Sequence, residues 1–268
     1  MNKDLIVELN EMIRLGYFGE EAKTLDVDKM SIEECAEYYL NTMLDNEKDI
    51  GRTLTCMVIV AIHYYHCQAI LGNATKLINT LKNFWVNNKA DETMCELMME
   101  KVIIDKKFRD NENQILNLGE KKELSNMQLN LYMKATEFAN INLKCLIDVI
   151  NIYDRVVVKK NTLNERIKCL NNYDPRIISI TNLVNRELRN QIAHANIRYN
   201  VDECIFTSIN RSMTTITLQE MMIQKIPQIL TLNRGFVCAT YLFLIQYYNK
   251  EKYMDYYAKI KRIAGINV

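Results

Sequence analysis

The sequence predicts an all-α protein, a helical bundle built on two long antiparallel helices with a small β-hairpin late in the chain. Among 268 residues there are only two prolines and seven glycines, fewer than turn-rich β architectures need. Hydrophobic residues make up 49% of the chain, which is enough for a substantial core. Apolar residues also recur at helical spacing over long stretches. We therefore expect long helices joined by short connections.

The first half of the chain shows helical periodicity with recognisable ends. Leu5, Leu9 and Met12 form the apolar stripe of a short N-terminal helix, and Ser31 with Glu34 forms a capping box for the next one. Trp85 closes a long central segment that is apolar on nearly every side. The expected helices before residue 160 are, in order, 2–15, 31–44, 46–84, 91–117 and 121–158.

The bulk properties indicate a cytoplasmic protein. The net charge is +1, so the chain as a whole has no electrostatic attraction to nucleic acid. The eight cysteines are scattered without a C-x-x-C motif, which is typical of reduced, buried thiols. No signal peptide is evident. The longest apolar run, Leu54–Leu71, contains His63, His66 and Gln68, which would be costly in lipid, so we expect a buried core helix and no membrane partner.

His63 and His66 lie three residues apart and are therefore neighbours on one helix face. A metal site would need at least one further ligand, and none is close in sequence. We interpret the pair as core histidines with satisfied hydrogen bonds, the alternative being a role near a functional site. No metal or other cofactor is expected.

The clearest helix start in the sequence is Asp174-Pro175, an N-cap followed by a proline at the first helical position. We expect that helix to continue to about residue 195 and to bury one side, formed by Ile177, Val184, Leu188, Ile192 and Ala195. A different side carries Glu187, Asn190 and His194, at spacings of three and four residues.

Arg189 and His194 are five residues apart, about 140° round an ideal helix, so they do not share one face. Three arrangements would still let both act together. The arginine bends round, the helix ends near His194, or each side chain meets its partner from a second chain.

The segment that contains Arg189 and His194 is basic, and β-branched residues follow it. Residues 155–200 hold more Lys and Arg than Asp and Glu, which indicates either a nucleic-acid contact or simply a solvated helix face.

Residues 202–207 and 213–217 predict a small hairpin. Thr217 with Glu220 forms another capping box, Pro227 should start or kink a helix, and 236–248 is strongly apolar.

The run Arg189-Asn190-x-x-x-His194, late in a helical chain and just before a hairpin, resembles the signature of the HEPN superfamily. The resemblance covers roughly residues 120–250 and implies a HEPN-like helical bundle. One departure concerns regulation. The toxin branch controlled by nucleotidylation has a tyrosine two residues after the histidine, and this chain has Asn196 there.

The resemblance implies a metal-independent endoribonuclease, usually of bacterial anti-phage defence or toxin type. Arg189, Asn190 and His194 would be catalytic, in a site completed by a homodimer through the motif helix. The expected substrate contacts around them are Arg186, Glu187, Arg198 and Tyr199. RNA would be the substrate, and a regulatory protein or RNA is a further possible partner.

Two alternatives stay open from the sequence. The motif face could belong to a non-catalytic helical module that binds RNA or a protein in a defence complex. For domain organisation, residues 1–46 are expected to form an N-terminal helical cap and residues 47–268 the HEPN-like domain, unless the whole chain is one domain.

Overall fold

The computed structural model is mainly helical with one small antiparallel sheet, which confirms the predicted helical class. It describes residues 3–17, 22, 25–26, 29–30, 34, 37–38, 40–41, 44, 50–72, 74–156, 162–209 and 215–263. The capping box expected at Ser31 lies outside the described residues.

The helices that the structure describes are α1 (Lys3–Arg14), α2 (Ile50–Leu71), α3 (Thr75–Asn87), α4 (Ala90–Glu112), α5 (Leu118–Tyr153), α6 (Leu163–Tyr173), α7 (Ile178–Thr181), α8 (Arg186–Ala193), α9 (Leu218–Glu220), α10 (Ile226–Tyr248) and α11 (Lys250–Ile263). The strands are β1 (Ile197–Asn200), β2 (Ile205–Ser208) and β3 (Ile216–Thr217). A 3₁₀ turn (Pro175–Ile177) precedes α7, and a π-helical turn (Met221–Lys225) joins α9 to α10.

The chain forms two compact units that interleave along the sequence. The first, which we call the motif unit, comprises residues 1–25, 92–139 and 182–230. The second, the histidine unit, comprises residues 26–91, 140–181 and 231–268. The boundary expected near residue 46 does not coincide with this division, and the separation of an N-terminal cap stays a prediction.

Several predicted helices are present with small changes in their ends, and two are divided. The long helix expected over 46–84 is two helices, α2 and α3. Gly72 follows α2 with φ of +61°, a left-handed conformation that glycine adopts without steric cost and that commonly ends helices.

The core of each unit is built from apolar helix faces. In the motif unit, Leu5 and Met12 of α1 pack with Met99 of α4 in one buried cluster. In the histidine unit, α10 passes so close to α2 that a Cβ added at Gly235 would lie 2.3 Å from Cys56 Cβ. The described cysteines that are not in disulfide bonds are Cys56, Cys67, Cys95, Cys145, Cys169, Cys204 and Cys238.

Two helical segments, Ile50–Leu71 and Leu218–Tyr247, are long and apolar enough by length and composition to cross a membrane. Buried residues make up 44% of the apolar window in the first and 78% in the second. Core helices of soluble proteins pass the same test, so this is weak support for membrane spans.

The helix expected to run from Pro175 through the motif is interrupted. Asp174 caps the 3₁₀ turn, with Pro175 at its start, as predicted. The chain then leaves the helix after Thr181 and restarts at Asn185. The Asn185 side chain accepts a hydrogen bond from Leu188 N–H at 3.0 Å, and such an N-cap favours a new helix start.

The three-stranded sheet has the order β1-β2-β3, antiparallel throughout, with Tyr199 opposite Phe206. The hairpin predicted from residues 202–207 and 213–217 therefore begins earlier, at Ile197. Asn200 explains the shift, because its side-chain oxygen accepts from Asp202 N–H at 3.1 Å and Glu203 N–H at 3.4 Å and so forms the turn. Residues 213–214 lie outside the described part.

The helical segment that contains α9 and α10 starts at Thr217, as predicted. The Thr217 hydroxyl accepts a hydrogen bond from Glu220 N–H at 2.9 Å. The Glu220 carboxylate pairs with Lys225 at 2.9 Å. Pro227 follows the π-helical turn near the start of α10, where its missing N–H is tolerated. Helical structure continues through Pro227, so the proline does not start a helix as expected, and the irregularity beside it is the π-helical turn over Met221–Lys225.

Candidate functional site

The motif lies on α8, which is anchored in the motif unit by its N-terminal end. Tyr132 of α5 donates its hydroxyl hydrogen to Asn185 O and accepts from Asn185 N–H, both at 3.2 Å. Leu188, one turn later, is fully buried. These contacts fix the position of the helix and leave its opposite side, with Asn190, exposed.

Arg189 is held by a carboxylate that the sequence interpretation did not identify, Glu137 of α5. The guanidinium donates to Glu137 Oε1 from Nε at 3.1 Å and from Nη2 at 2.6 Å. The arginine side chain is 29% exposed and the glutamate side chain 45% exposed. A guanidinium carries five N–H donors, so this contact orients one edge of the group and leaves donors on the Nη1 side.

Asn190 lies beside that remaining edge. Its side-chain oxygen is 3.4 Å from Arg189 Nη1, at the long end of hydrogen-bond distance, and the residue is exposed. The Asn190 amide can therefore bind a ligand together with Arg189, and its weak hydrogen bond to the arginine can break when a ligand binds.

His194 stands at the open end of α8. It is the C-cap residue with φ of −96° and ψ of 11°, and its side chain is exposed between two exposed alanines, Ala193 and Ala195. The helix thus ends near His194, as one of the three arrangements requires. The His194 N–H still donates to Asn190 O at 3.1 Å, so His194 keeps its place on the last turn, and the contacts of the described residues do not join it to Arg189. The convergence of Arg189 and His194 on one substrate stays a prediction.

The end of α8 is a Schellman motif with an unusual residue in it. Asn196 N–H donates to Gln191 O at 2.9 Å and Ala195 N–H donates to Ile192 O at 3.0 Å, the pair of bonds that defines this turn. Ala195 takes the left-handed position with φ of +52°, where glycine is usual. Ala195 is consequently exposed, and Ile192 only half-buried, so the core side expected for the motif helix ends at Leu188.

The four expected substrate contacts divide into three that face solvent and one that does not. Arg186, Glu187 and Arg198 are exposed. Tyr199 faces inward, with its ring 5.1 Å from that of Phe206 and its hydroxyl buried. The alternation of side chains along β1 explains this, because Arg198 takes the outer side. The predicted substrate contact of Tyr199 does not fit this orientation.

The basic stretch over 155–200 is not one surface. Arg166 is buried in the histidine unit, where Nη1 donates to the backbone and side-chain oxygens of Asn140 at 2.9 and 2.6 Å. Arg176 is paired with Asp174 at 2.7 Å. Lys159 and Lys160 lie outside the described residues. Arg186, Arg189 and Arg198 belong to the motif unit.

The two remaining histidines belong to the histidine unit. His63 is 3% exposed and its Nδ1 is 2.8 Å from the Tyr153 hydroxyl, so it is a core histidine as predicted, but its Nε2 is not satisfied by a well-aligned hydrogen bond within the described residues. His66 is exposed, with its ring 4.9 Å from that of Tyr153. The interpretation of His66 as a core histidine is therefore wrong, because it lies on the solvent side of α2. Within the part of the chain that the structure describes, no group of three or more His, Cys, Asp and Glu side chains is placed to hold a metal ion.

Glu137 could have been noticed from its surroundings in the sequence. It is the acidic residue in a run of α5 that is otherwise apolar or small, between Thr136 and Phe138, which are both buried. A charge placed among core residues usually has a partner. Its pairing with Arg189 could not be deduced, because the two residues are 52 positions apart.

Comparisons of the chain with protein-family models, with curated proteins and with solved structures find no match.

Proposed function

We propose that this chain is a metal-independent endoribonuclease of HEPN type that acts in bacterial anti-phage defence or a toxin system. The observation that supports the proposal is that α8 carries an oriented guanidinium and that its C-cap residue is an exposed histidine. Glu137 fixes Arg189, while His194 faces solvent beyond the last turn of α8.

The proposed reaction is attack of an RNA 2′-hydroxyl on the adjacent phosphorus. It requires a base for that hydroxyl, an acid for the leaving 5′-oxygen, and positive charge near the phosphorane. An imidazole titrates near neutral pH and serves as base or acid, so that role falls to His194. A guanidinium stays charged and can hold two phosphate oxygens, which is the role of Arg189.

Asn190 would complete the site by hydrogen bonding to a phosphate oxygen or by orienting a neighbouring group. Its contact with Arg189 Nη1 is long, so a phosphate could replace it at little cost. Arg186 and Arg198, both exposed, would neutralise neighbouring phosphates. A homodimer through the motif helix would bring two copies of these groups to one groove, and a regulatory protein or RNA would restrain or trigger the activity.

One observation favours the alternative of a helical module that binds RNA or a protein without cleaving. The charge of Arg189 is neutralised by an ion pair with Glu137 in the absence of any ligand, as expected of an arginine that holds α8 against α5 and does not act in catalysis. This alternative predicts association with RNA that depends on Arg189 but gives no products.

The test is incubation of the purified chain with end-labelled RNA in the presence of EDTA. We expect cleavage by the wild-type protein and its loss, by about a hundredfold or more, in His194→Ala. His66→Ala is the matched control, since it removes an exposed histidine of the other unit and should cleave at the wild-type rate. Equal cleavage by His194→Ala and wild type would end the catalytic assignment, and binding without cleavage by all three would favour the module.

A further inference from the structure

A second polar cluster, separate from the motif, lies inside the histidine unit around His63. The imidazole projects from α2 and is almost completely buried. Its Nδ1 is 2.8 Å from the hydroxyl of Tyr153, the last residue of α5. Its Nε2 is 3.3 Å from Oδ2 of Asp174, which precedes the 3₁₀ turn. One side chain thus joins three segments that are distant in sequence.

The two ring nitrogens are not equally satisfied. Nδ1 and the Tyr153 hydroxyl are well placed for a hydrogen bond. Nε2 lies 3.3 Å from the Asp174 oxygen, but it is poorly aligned with that oxygen and makes no well-formed hydrogen bond within the described residues. Protonation of His63 would place a positive charge in the buried space beside Asp174 and so change the interaction between the imidazole and the carboxylate.

Asp174 is largely committed to Arg176. Its two oxygens accept from Arg176 Nε, both at 3.0 Å, and Oδ2 accepts from Nη2 at 2.7 Å. The backbone N–H of Arg176 donates to Oδ1 at 2.9 Å. The carboxylate therefore has little capacity left for an imidazolium, and the guanidinium that holds it carries the same charge that protonated His63 would carry.

The ionisable and polar groups around His63 come from every segment packed against it. Tyr153 and Asp154 are contributed by the end of α5, Tyr173 by α6, Asp174 and Arg176 by the 3₁₀ turn, and His66 by α2 itself. Burial lowers the pKa of His63 from its ordinary value of 6.5, the charge of Asp174 opposes that change, and Arg176 and His66 add to it.

We propose that His63, Tyr153 and Asp174 form a proton-sensitive latch, which holds the end of α5 and the Asp174 turn to α2 when His63 is neutral and loosens the histidine unit when the pH falls. This is independent of the proposed ribonuclease activity, because the latch shares no residue with the motif.

The direction of the pH effect follows from proton binding. The unfolded chain takes up a proton at His63 as the pH falls through about 6.5, whereas the folded chain does so only at lower pH. The stabilising contribution of neutral His63 is therefore complete above pH 6.5 and is lost progressively below it. The unfolding equilibrium constant should rise about tenfold for each unit by which folding lowers the pKa.

The first measurement is an NMR titration of the histidine ring protons, which is simple because the chain has three histidines. We expect the resonance assigned to His63, by its loss in His63→Gln, to titrate below 6.5. Asp174→Asn should move this titration to still lower pH, because the variant removes the neighbouring negative charge while asparagine keeps the N-cap of the 3₁₀ turn. A His63 resonance that titrates at or above 6.5 overturns the proposal.

The second measurement is chemical denaturation between about pH 8 and pH 5, above the range in which ordinary carboxylates titrate. Wild type and His66→Gln should lose stability in parallel as the pH falls, and His63→Gln should lose markedly less. An equal loss in His63→Gln and wild type contradicts the latch. If His63→Gln does not fold, the His63 resonance is assigned by elimination, as the one that His66→Gln and His194→Gln both keep. Tyr153→Phe, which removes the hydroxyl partner of Nδ1, should then change the pH at which this resonance titrates, and an unchanged titration contradicts the latch.

Discussion

At the scale of single residues, the central contact is the ion pair between Arg189 and Glu137. Both side chains are partly exposed, and pairs of this kind contribute at most about 1 kcal/mol to stability. The geometry matters more, because Nε and Nη2 of the arginine both donate to one carboxylate oxygen and so fix the plane of the guanidinium. We infer that the contact serves orientation and contributes little to folding.

The substitution Glu137→Gln separates these two effects. It keeps the shape of the side chain but removes the charge, so the free energy of unfolding should change by less than about 1 kcal/mol. RNA cleavage should fall by up to about tenfold, because a neutral amide oxygen holds the guanidinium more weakly than a carboxylate does and Arg189 is then less firmly oriented. Both quantities are measured on the same preparations, by chemical denaturation and by initial cleavage rates.

Glu123→Gln is the matched control for that prediction. Glu123 also lies on α5 in the motif unit and pairs with a cation, Lys107, at 2.6 Å, but it is not part of the motif contact. Its removal should leave the cleavage rate unchanged. A Glu137→Gln protein that cleaves as fast as Glu123→Gln would contradict an orienting role.

At the scale of elements, the end of α8 determines where His194 points. The Schellman bonds from Ala195 and Asn196 stop the helix directly after the motif, and Ala195 occupies a left-handed conformation that costs an L-residue roughly 1 kcal/mol or more. The strain sits one residue from the imidazole, at the point where the helix gives way to β1.

Replacing Ala195 tests whether this turn positions His194. Ala195→Gly should raise the free energy of unfolding by about 0.5–1 kcal/mol, since glycine adopts this φ without steric cost, and cleavage should be retained. Ala195→Val should lower stability and cleavage together, because a β-branched side chain resists the left-handed region. Unfolding and cleavage measured on both variants check this, and a destabilised Ala195→Gly protein would show that the turn is not strained.

Local signals in the sequence predicted the elements that depend on neighbouring residues. The Asp174-Pro175 start, the Thr217 cap and the N-terminal helix are of this kind. The restart of the helix at Asn185 was missed because it also involves Tyr132, 53 positions away. The earlier start of the hairpin is not predicted, because an asparagine such as Asn200 is as common in an irregular loop as in a tight turn between two strands. Only its bonds to Asp202 and Glu203 show that it forms the turn.

At the scale of the whole molecule, composition was sufficient to predict a mainly helical chain. The chain has few prolines and glycines, the residues that most often end helices. Most of the elements in the structure are accordingly helices. The interleaved division into two units could not be predicted, because it depends on contacts between distant segments. The motif unit holds the candidate site around Arg189 and His194, and the histidine unit holds the cluster around His63.

The measurement that tests the central claim most directly is analysis of the RNA ends by mass spectrometry after cleavage in EDTA. Attack by the 2′-hydroxyl, assisted by Arg189 and His194, predicts a 2′,3′-cyclic phosphate on one product and a 5′-hydroxyl on the other. These ends should be made by the wild-type protein and be absent with His194→Ala. Products with a 3′-hydroxyl and a 5′-phosphate, or the same cyclic ends from His194→Ala, would contradict the proposed chemistry.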